Sequence, residues 1–62
     1  MLLTVKEVAL ELKTNVNTVY ELINHNLLIG LKLGRLKVPD YEVERFIREN
    51  MGQDVMEKMV QR

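Results

Sequence analysis

Apolar residues in the first part of the chain recur three and four positions apart. The stripe repeats at i, i+3, i+4 and i+7, which is typical of one buried helical face, and consists of Val5, Val8, Ala9 and Leu12. Residues 4–7, Thr-Val-Lys-Glu, form a capping box, in which Thr4 and Glu7 satisfy each other's backbone N–H groups. The pattern therefore predicts a first helix over about residues 5–12.

A second helix is predicted after a turn of about three residues. Asn15 is a favourable N-cap, and the buried face that follows would be Val19, Leu22 and Ile23. Asn26 can adopt the left-handed conformation that ends a helix, which lets Leu27 and Leu28 pack beneath it. Two short helices joined this tightly must cross at a steep angle, so the first 28 residues predict a helix-turn-helix.

The stretch LKLGRLKV, residues 31–38, alternates leucine or valine with lysine around a glycine. A two-residue type II′ turn at Gly34 and Arg35 would place Leu33 opposite Leu36, Lys32 opposite Lys37 and Leu31 opposite Val38. Side chains alternate between the faces of a strand, so this hairpin would have one apolar and one basic face. Two lysines opposite each other cost stability, which an anionic partner would relieve.

The rest of the chain predicts two further helices. Pro39 ends the strand, Asp40 is expected to cap a third helix with Val43, Phe46 and Ile47 as its core face, and Gly52 ends it. Asp54 would cap a short fourth helix whose apolar stripe is Val55, Met56, Met59 and Val60. That stripe either folds back over the small core, covering Leu10, or serves as a site for a partner or for self-association.

The predicted fold is mainly α with a small β-hairpin: a winged helix-turn-helix built as α-turn-α, a two-stranded wing, a third helix and a short C-terminal helix. We expect one winged helix-turn-helix domain over residues 1–51 and a C-terminal helical tail over residues 52–62.

Length and composition narrow the function. A chain of 62 residues has little core from which to build an enclosed substrate pocket, so an enzyme is not expected. It contains no cysteine and one histidine, His25, so we expect no metal site and no cofactor. No apolar run is long enough to span a bilayer, and we expect a cytoplasmic, nucleoid-associated protein without membrane contact.

Charge is unevenly distributed although the formal net charge is zero. Residues 1–39 carry five Lys or Arg and three Glu, whereas residues 40–62 carry four Lys or Arg and six acids. The basic wing residues Lys32, Arg35 and Lys37 could replace counterions at phosphates. On the exposed face of the second helix, Asn17 and Asn24 could pair with adenine and Tyr20 could donate to a phosphate. The order of these parts favours a helix in the major groove with the wing on the backbone or the adjoining minor groove.

The segments LLTVKEVALELKTNVNTVYELINHNLL and KLGRLKVPDYEVERFI resemble the excisionase-family and MerR-like winged helix-turn-helix DNA-binding domains. The matching features are a Leu-Thr-x-x-Glu-x-Ala opening, Thr-Val-Tyr in the second helix, a Lys-x-Gly-Arg wing and a proline before the closing helix. The resemblance covers about residues 2–50. It implies a small protein that binds and often bends DNA, such as a recombination directionality factor of a mobile element, a small transcriptional regulator or a phage packaging protein.

Carried onto this chain, the resemblance places the recognition helix at Asn17, Thr18, Tyr20, Glu21 and Asn24, and the DNA-binding wing at Lys32, Arg35 and Lys37. Many relatives have arginines where this chain has Val16 and Glu21, and a wing one residue longer. Two hypotheses follow. The first is a sequence-selective protein binding double-stranded DNA as an excisionase or regulator, with an integrase or recombinase as a partner and cooperative self-association on the DNA. The second is a winged-helix interaction module that docks a recombinase, polymerase or terminase without specific DNA binding.

Overall fold

The computed structural model describes residues 1–60 and contains four helices and three strands in that range. In chain order these are β1 (Leu2–Thr4), α1 (Val5–Glu11), α2 (Val16–Asn24), β2 (Leu31–Leu33), β3 (Arg35–Pro39), α3 (Asp40–Asn50) and α4 (Val55–Val60). Two helices, a wing, a long helix and a short helix follow one another as predicted, so the winged helix-turn-helix architecture is confirmed. Strand β1 is an addition that the sequence pattern did not predict.

Both predicted N-caps of the helix-turn-helix are confirmed. Thr4 Oγ1 accepts a hydrogen bond from the Glu7 N–H at 3.1 Å, and Glu7 Oε1 accepts one from the Thr4 N–H at 2.9 Å. At the start of α2, Asn15 Oδ1 accepts from the Thr18 N–H at 2.8 Å. These bonds satisfy N–H groups that a helix start leaves without partners, so α1 and α2 begin where the capping residues stand.

The two helices also end in the same way. Lys13 has a φ of 55°, and Asn26 has a φ of 59°, as predicted for a left-handed helix end. After α1 the Thr14 N–H donates to the Ala9 carbonyl at 2.9 Å, and after α2 the Leu27 N–H donates to the Leu22 carbonyl at 2.9 Å. This is the hydrogen-bond pattern of a Schellman motif, which turns the chain sharply enough for α1 and α2 to cross within the small core.

The sheet has the order β1-β3-β2 and is antiparallel throughout. The predicted hairpin register is wrong by one residue, because Gly34 alone occupies the tip and Leu33 pairs with Arg35. Lys32 therefore lies opposite Leu36 rather than Lys37, and the predicted repulsion between facing lysines does not arise. Gly34 takes a φ of 77°, which a residue with a side chain rarely adopts.

The one-residue shift also changes the two faces of the wing. Residues directly opposite each other in an antiparallel pair share a face, so Leu31 and Leu33 lie with Lys37 and Arg35 instead of with Val38. Val38 is fully buried, whereas Leu31 is 45% exposed and Leu33 is 60% exposed. The predicted apolar face is thus divided, and the outer face of the wing combines two leucines with two cations.

Helix α3 is rotated relative to the prediction. Val43 and Phe46 are buried as expected, but Ile47 is 44% exposed and Glu42 is buried in its place. Asp40 does not cap the helix, because Pro39 is the N-cap and makes no side-chain hydrogen bond there. Asp40 Oδ1 instead lies 3.3 Å from the Met1 amino nitrogen.

Helix α4 contacts the core through one side only. Asp54 Oδ1 accepts from the Glu57 N–H at 3.1 Å, which confirms the predicted cap. Met59 is buried in the main hydrophobic cluster and Val55 packs against that cluster. The expectation that this stripe covers Leu10 is wrong, since Leu10 is 71% exposed.

Candidate nucleic-acid interface

A groove of about 510 Å³ separates the helix-turn-helix from the wing. The start of α1, the exposed side of α2 and strand β3 meet around it. Its lining residues are Thr4, Val5, Lys6, Val16, Tyr20, Gly34, Arg35, Leu36 and Lys37. Because helix and wing border the same groove, one ligand can contact both.

The residues predicted for the recognition helix lie on two sides of α2. Tyr20 borders the groove with 44% of its surface exposed. Asn17, Glu21 and Asn24 are exposed and spaced by four and three residues, so they form one stripe next to Tyr20. Thr18 is only half-exposed and lines a different groove, on the side of α4. The structure therefore brings four of the five predicted positions to one surface and places Thr18 away from them.

Helix α2 has no lysine or arginine in its nine residues. Glu21 Oε1 lies 3.7 Å from His25 Nε2, one turn further along. The helix therefore offers polar groups suited to base edges, but little positive charge for phosphates.

Two of the three cations that border the groove belong to the wing. No Asp or Glu occurs anywhere in residues 22–39, which include Lys32, Arg35 and Lys37. None of the ion pairs among residues 1–60 involves these three cations. Arg35 and Lys37 border the groove, whereas Lys32 is exposed but does not line it. Two of the three wing cations can thus act on a ligand that also touches α2.

Lys6 is a cation of this site that sequence reasoning missed. It is exposed on the first turn of α1 and borders the same groove as Arg35 and Lys37. Lys6 stands within the predicted capping box, and the pairing of β1 with β3 brings that turn of α1 beside the wing. Lys6 was therefore not placed at this site from the sequence, because strand β1 was not predicted.

A buried carboxylate fixes the connection between α2 and the wing. Glu42 on α3 accepts a hydrogen bond from the Ile29 N–H at 2.9 Å and another from Arg45 Nε at 2.8 Å. The Arg45 guanidinium also donates to the Leu27 carbonyl at 3.1 Å. The connecting segment is thus held at two backbone positions, which determines where the wing begins relative to α2.

The charges of this contact stabilise each other. The hydrogen bond from Arg45 is the largest influence on Glu42 and lowers the pKa of its carboxyl group; burial opposes this shift and the Ile29 N–H adds to it. Glu42 in turn raises the pKa of Arg45, and Glu49 contributes through an Arg45–Glu49 bond of 2.7 Å. The pair remains ionised at neutral pH, which a buried charge requires if it is not to destabilise the fold.

A second, mainly apolar groove of about 190 Å³ lies on the other side of α2. Its lining residues are Leu12, Thr14, Thr18, Leu22, Phe46, Val55 and Met56. Of the four residues in the tail stripe, predicted either to fold back over the core or to bind a partner, Met59 is buried and Val55 is half-buried, whereas Met56 and Val60 are exposed. The tail therefore divides between core packing and an exposed edge.

Residues 1–60 contain no cluster of three or more His, Cys, Asp or Glu side chains able to hold a metal ion. Over the same residues, no helix combines the length and the apolar character needed to cross a bilayer.

Comparison with known proteins gives one result. A family model described as a helix-turn-helix domain matches residues 2–51, which is more than half of the chain. No curated protein and no solved structure matches significantly.

Proposed function

The chain belongs to the helix-turn-helix domain family, a family of DNA-binding domains, and from this premise we propose that it binds double-stranded DNA sequence-selectively and is not an enzyme. Within that function we propose an excisionase or a small transcriptional regulator of a phage or another mobile element. An integrase or recombinase, and further copies of the chain on adjacent DNA sites, would be its protein partners. Its place in the cell would be the nucleoid.

The observation that carries this proposal is the shared groove. Tyr20 of α2 and the wing cations Arg35 and Lys37 border one space, and no acidic side chain lies in the sequence between residues 22 and 39. A duplex presents base edges in its major groove and phosphates along the rim. With α2 in the major groove, Asn17 and Asn24 would read bases while Arg35 and Lys37 neutralise phosphates on the adjoining backbone.

Selection from a pool of random duplexes at low salt tests this proposal. We expect the chain to enrich one sequence, and a gel shift with that duplex to show binding that weakens as salt is raised. Enrichment of no sequence would refute selective binding. Bending of the selected duplex, measured by circular permutation of the site, would favour an excisionase over a simple regulator.

The alternative function, an interaction module without specific DNA binding, is favoured by one observation. Helix α2 lacks Lys and Arg and exposes Glu21 on its polar stripe, while Met56 borders an apolar groove behind the helix. In that case a recombinase, polymerase or terminase subunit would occupy the apolar groove. Substitution Met56→Glu separates the two functions, because it should abolish such docking and leave the affinity for the selected duplex unchanged.

A further inference from the structure

Two leucines of the wing are exposed where the fold gains nothing from them. Leu33 at the hairpin tip is 60% exposed, and Leu31 is 45% exposed, although a chain of this size has few apolar side chains for its core. Their partners across the hairpin, Arg35 and Lys37, share their face. A Cβ placed on Gly34 would meet no atom within 4 Å beyond its chain neighbours, so the tip is open in that direction.

The surroundings of Leu33 indicate the chemistry of its ligand. A protein surface that accepts leucine would be apolar, and two unpaired cations beside it would lose hydration without compensation. A duplex minor groove combines the two requirements, since sugars and base edges line its interior and phosphates line both rims. The absence of acidic residues from 22 to 39 fits a polyanion and not an apolar partner.

The shape of the tip fits the same site. The minor groove of B-DNA is about 6 Å wide, which is too narrow for a two-stranded ribbon lying flat but not for a hairpin tip. Gly34 is the single residue between the paired Leu33 and Arg35, so these two side chains flank a tip without a side chain of its own. Arg35 can therefore lie along the minor groove while Leu33 contacts the base step beside it.

We propose that Leu33 is an apolar wedge that enters the minor groove and partly unstacks one base step, with Arg35 holding the tip in place. Apolar side chains used in this way open the step and kink the duplex. This inference rests on the proposed DNA-binding function and adds to it a residue and an activity. It also predicts that the protein prefers, at that step, the bases that unstack most easily. Unstacking is easiest at pyrimidine–purine steps.

The test uses the duplex selected from the random pool, with 2-aminopurine placed at successive adenines, and the full chain at saturating concentration. Fluorescence should rise at one step under the wing, because 2-aminopurine brightens when it is unstacked. Leu33→Ala should abolish this rise and lower the affinity by about tenfold, the loss expected when a largely buried leucine is truncated. Leu31→Ala is the matched control, since it removes the same atoms from the same face away from the tip, and it should keep the rise.

The possible failures are distinguishable. If no duplex is selected, the proposed function itself is refuted. If the wild-type chain binds its duplex without any rise in fluorescence, DNA binding stands and the wedge is refuted. A rise that persists in Leu33→Ala, or that Leu31→Ala abolishes equally, would also overturn the assignment to Leu33. A change in self-association of Leu33→Ala without DNA, seen by sedimentation, would place this leucine in a protein contact instead.

Discussion

Replacing Glu42 by alanine removes the acceptor that joins the α2–wing connection to α3. Glu42 accepts hydrogen bonds from the Ile29 N–H and from the Arg45 guanidinium, and it is nearly buried. The variant therefore leaves Arg45 without its main counterion and Ile29 without its acceptor. We expect the fold to persist but to unfold at a lower temperature, and the wing to be held less firmly.

The magnitude follows from the exposure of each partner. Breaking a fully buried pair costs about 3–5 kcal/mol, but the Arg45 side chain is 34% exposed and keeps its contacts with Glu49 and Leu27. The hydrogen bond from the Ile29 N–H is only partly buried, so water can replace part of what the lost acceptor provided. We therefore expect a loss of about 2–3 kcal/mol, which in a domain of this size lowers Tm by roughly 10–20 °C.

Thermal unfolding followed by circular dichroism measures this loss. Glu44→Ala, an exposed acid on the same helix with no side-chain hydrogen bond among residues 1–60, is the control and should change stability by less than about 0.5 kcal/mol. Glu42→Gln should lie between the two, because its amide oxygen can still accept from Ile29 but no longer carries charge. Equal Tm values for Glu42→Ala and Glu44→Ala would refute the reasoning that this contact stabilises the fold.

The pH dependence provides a second check on the same contact. Folding lowers the pKa of Glu42 below its usual value of 4.5, so the folded protein releases this proton more readily than the unfolded chain. The stabilisation is complete above the unfolded pKa and is lost as pH falls through the lowered folded pKa. The stability difference between wild type and Glu42→Gln should therefore shrink below about pH 4; a difference that grows in acid would contradict the direction of the shift.

Three further predictions concern the DNA interface and the tail. Lys37→Ala should reduce the slope of log affinity against log salt by about one without altering the preferred sequence, whereas Arg48→Ala, in the last turn of α3, should leave the slope unchanged. Asn17→Ala should cost about 1–3 kcal/mol at a single base position, measured by gel shifts on single-base variants of the selected duplex. Met59→Ala should destabilise the fold by about 2–5 kcal/mol in denaturant unfolding, and Met56→Ala, 58% exposed, by much less.

The helices could be predicted from sequence because their starts depend on neighbouring residues. Each capping hydrogen bond joins residues three positions apart, so the local sequence contains both partners of the bond. The capping residues are Thr4 with Glu7, Asn15, and Asp54. The left-handed conformation at Asn26 also depends on the local sequence, since it follows from the residue type at that position. The comparison confirms the family that these elements suggested.

The sheet could not be predicted in the same way, because its contacts join distant parts of the chain. Leu2 pairs with Pro39, but β1 is only three residues long and lies next to a helix cap. Its local sequence therefore does not indicate which strand it pairs with. The hairpin register depended on whether Gly34 alone or Gly34 with Arg35 forms the tip, and both choices fit the alternation of leucine and lysine. Ile47 was misplaced because the buried Glu42, which pairs with Arg45, rotates the inward face of α3. The residues proposed to contact DNA remain predictions.

A formally neutral molecule whose charges are divided as described above can have an electric dipole moment. The wing presents cations with no acid in residues 22–39, whereas residues 40–62 carry six acids and four cations, with Arg45 already paired to two of the acids. A field of this kind exerts a torque on the molecule near a polyanion and little net attraction far from it. Under the proposed function, this torque would turn molecules that approach DNA wing first, which favours productive encounters and not capture from a distance.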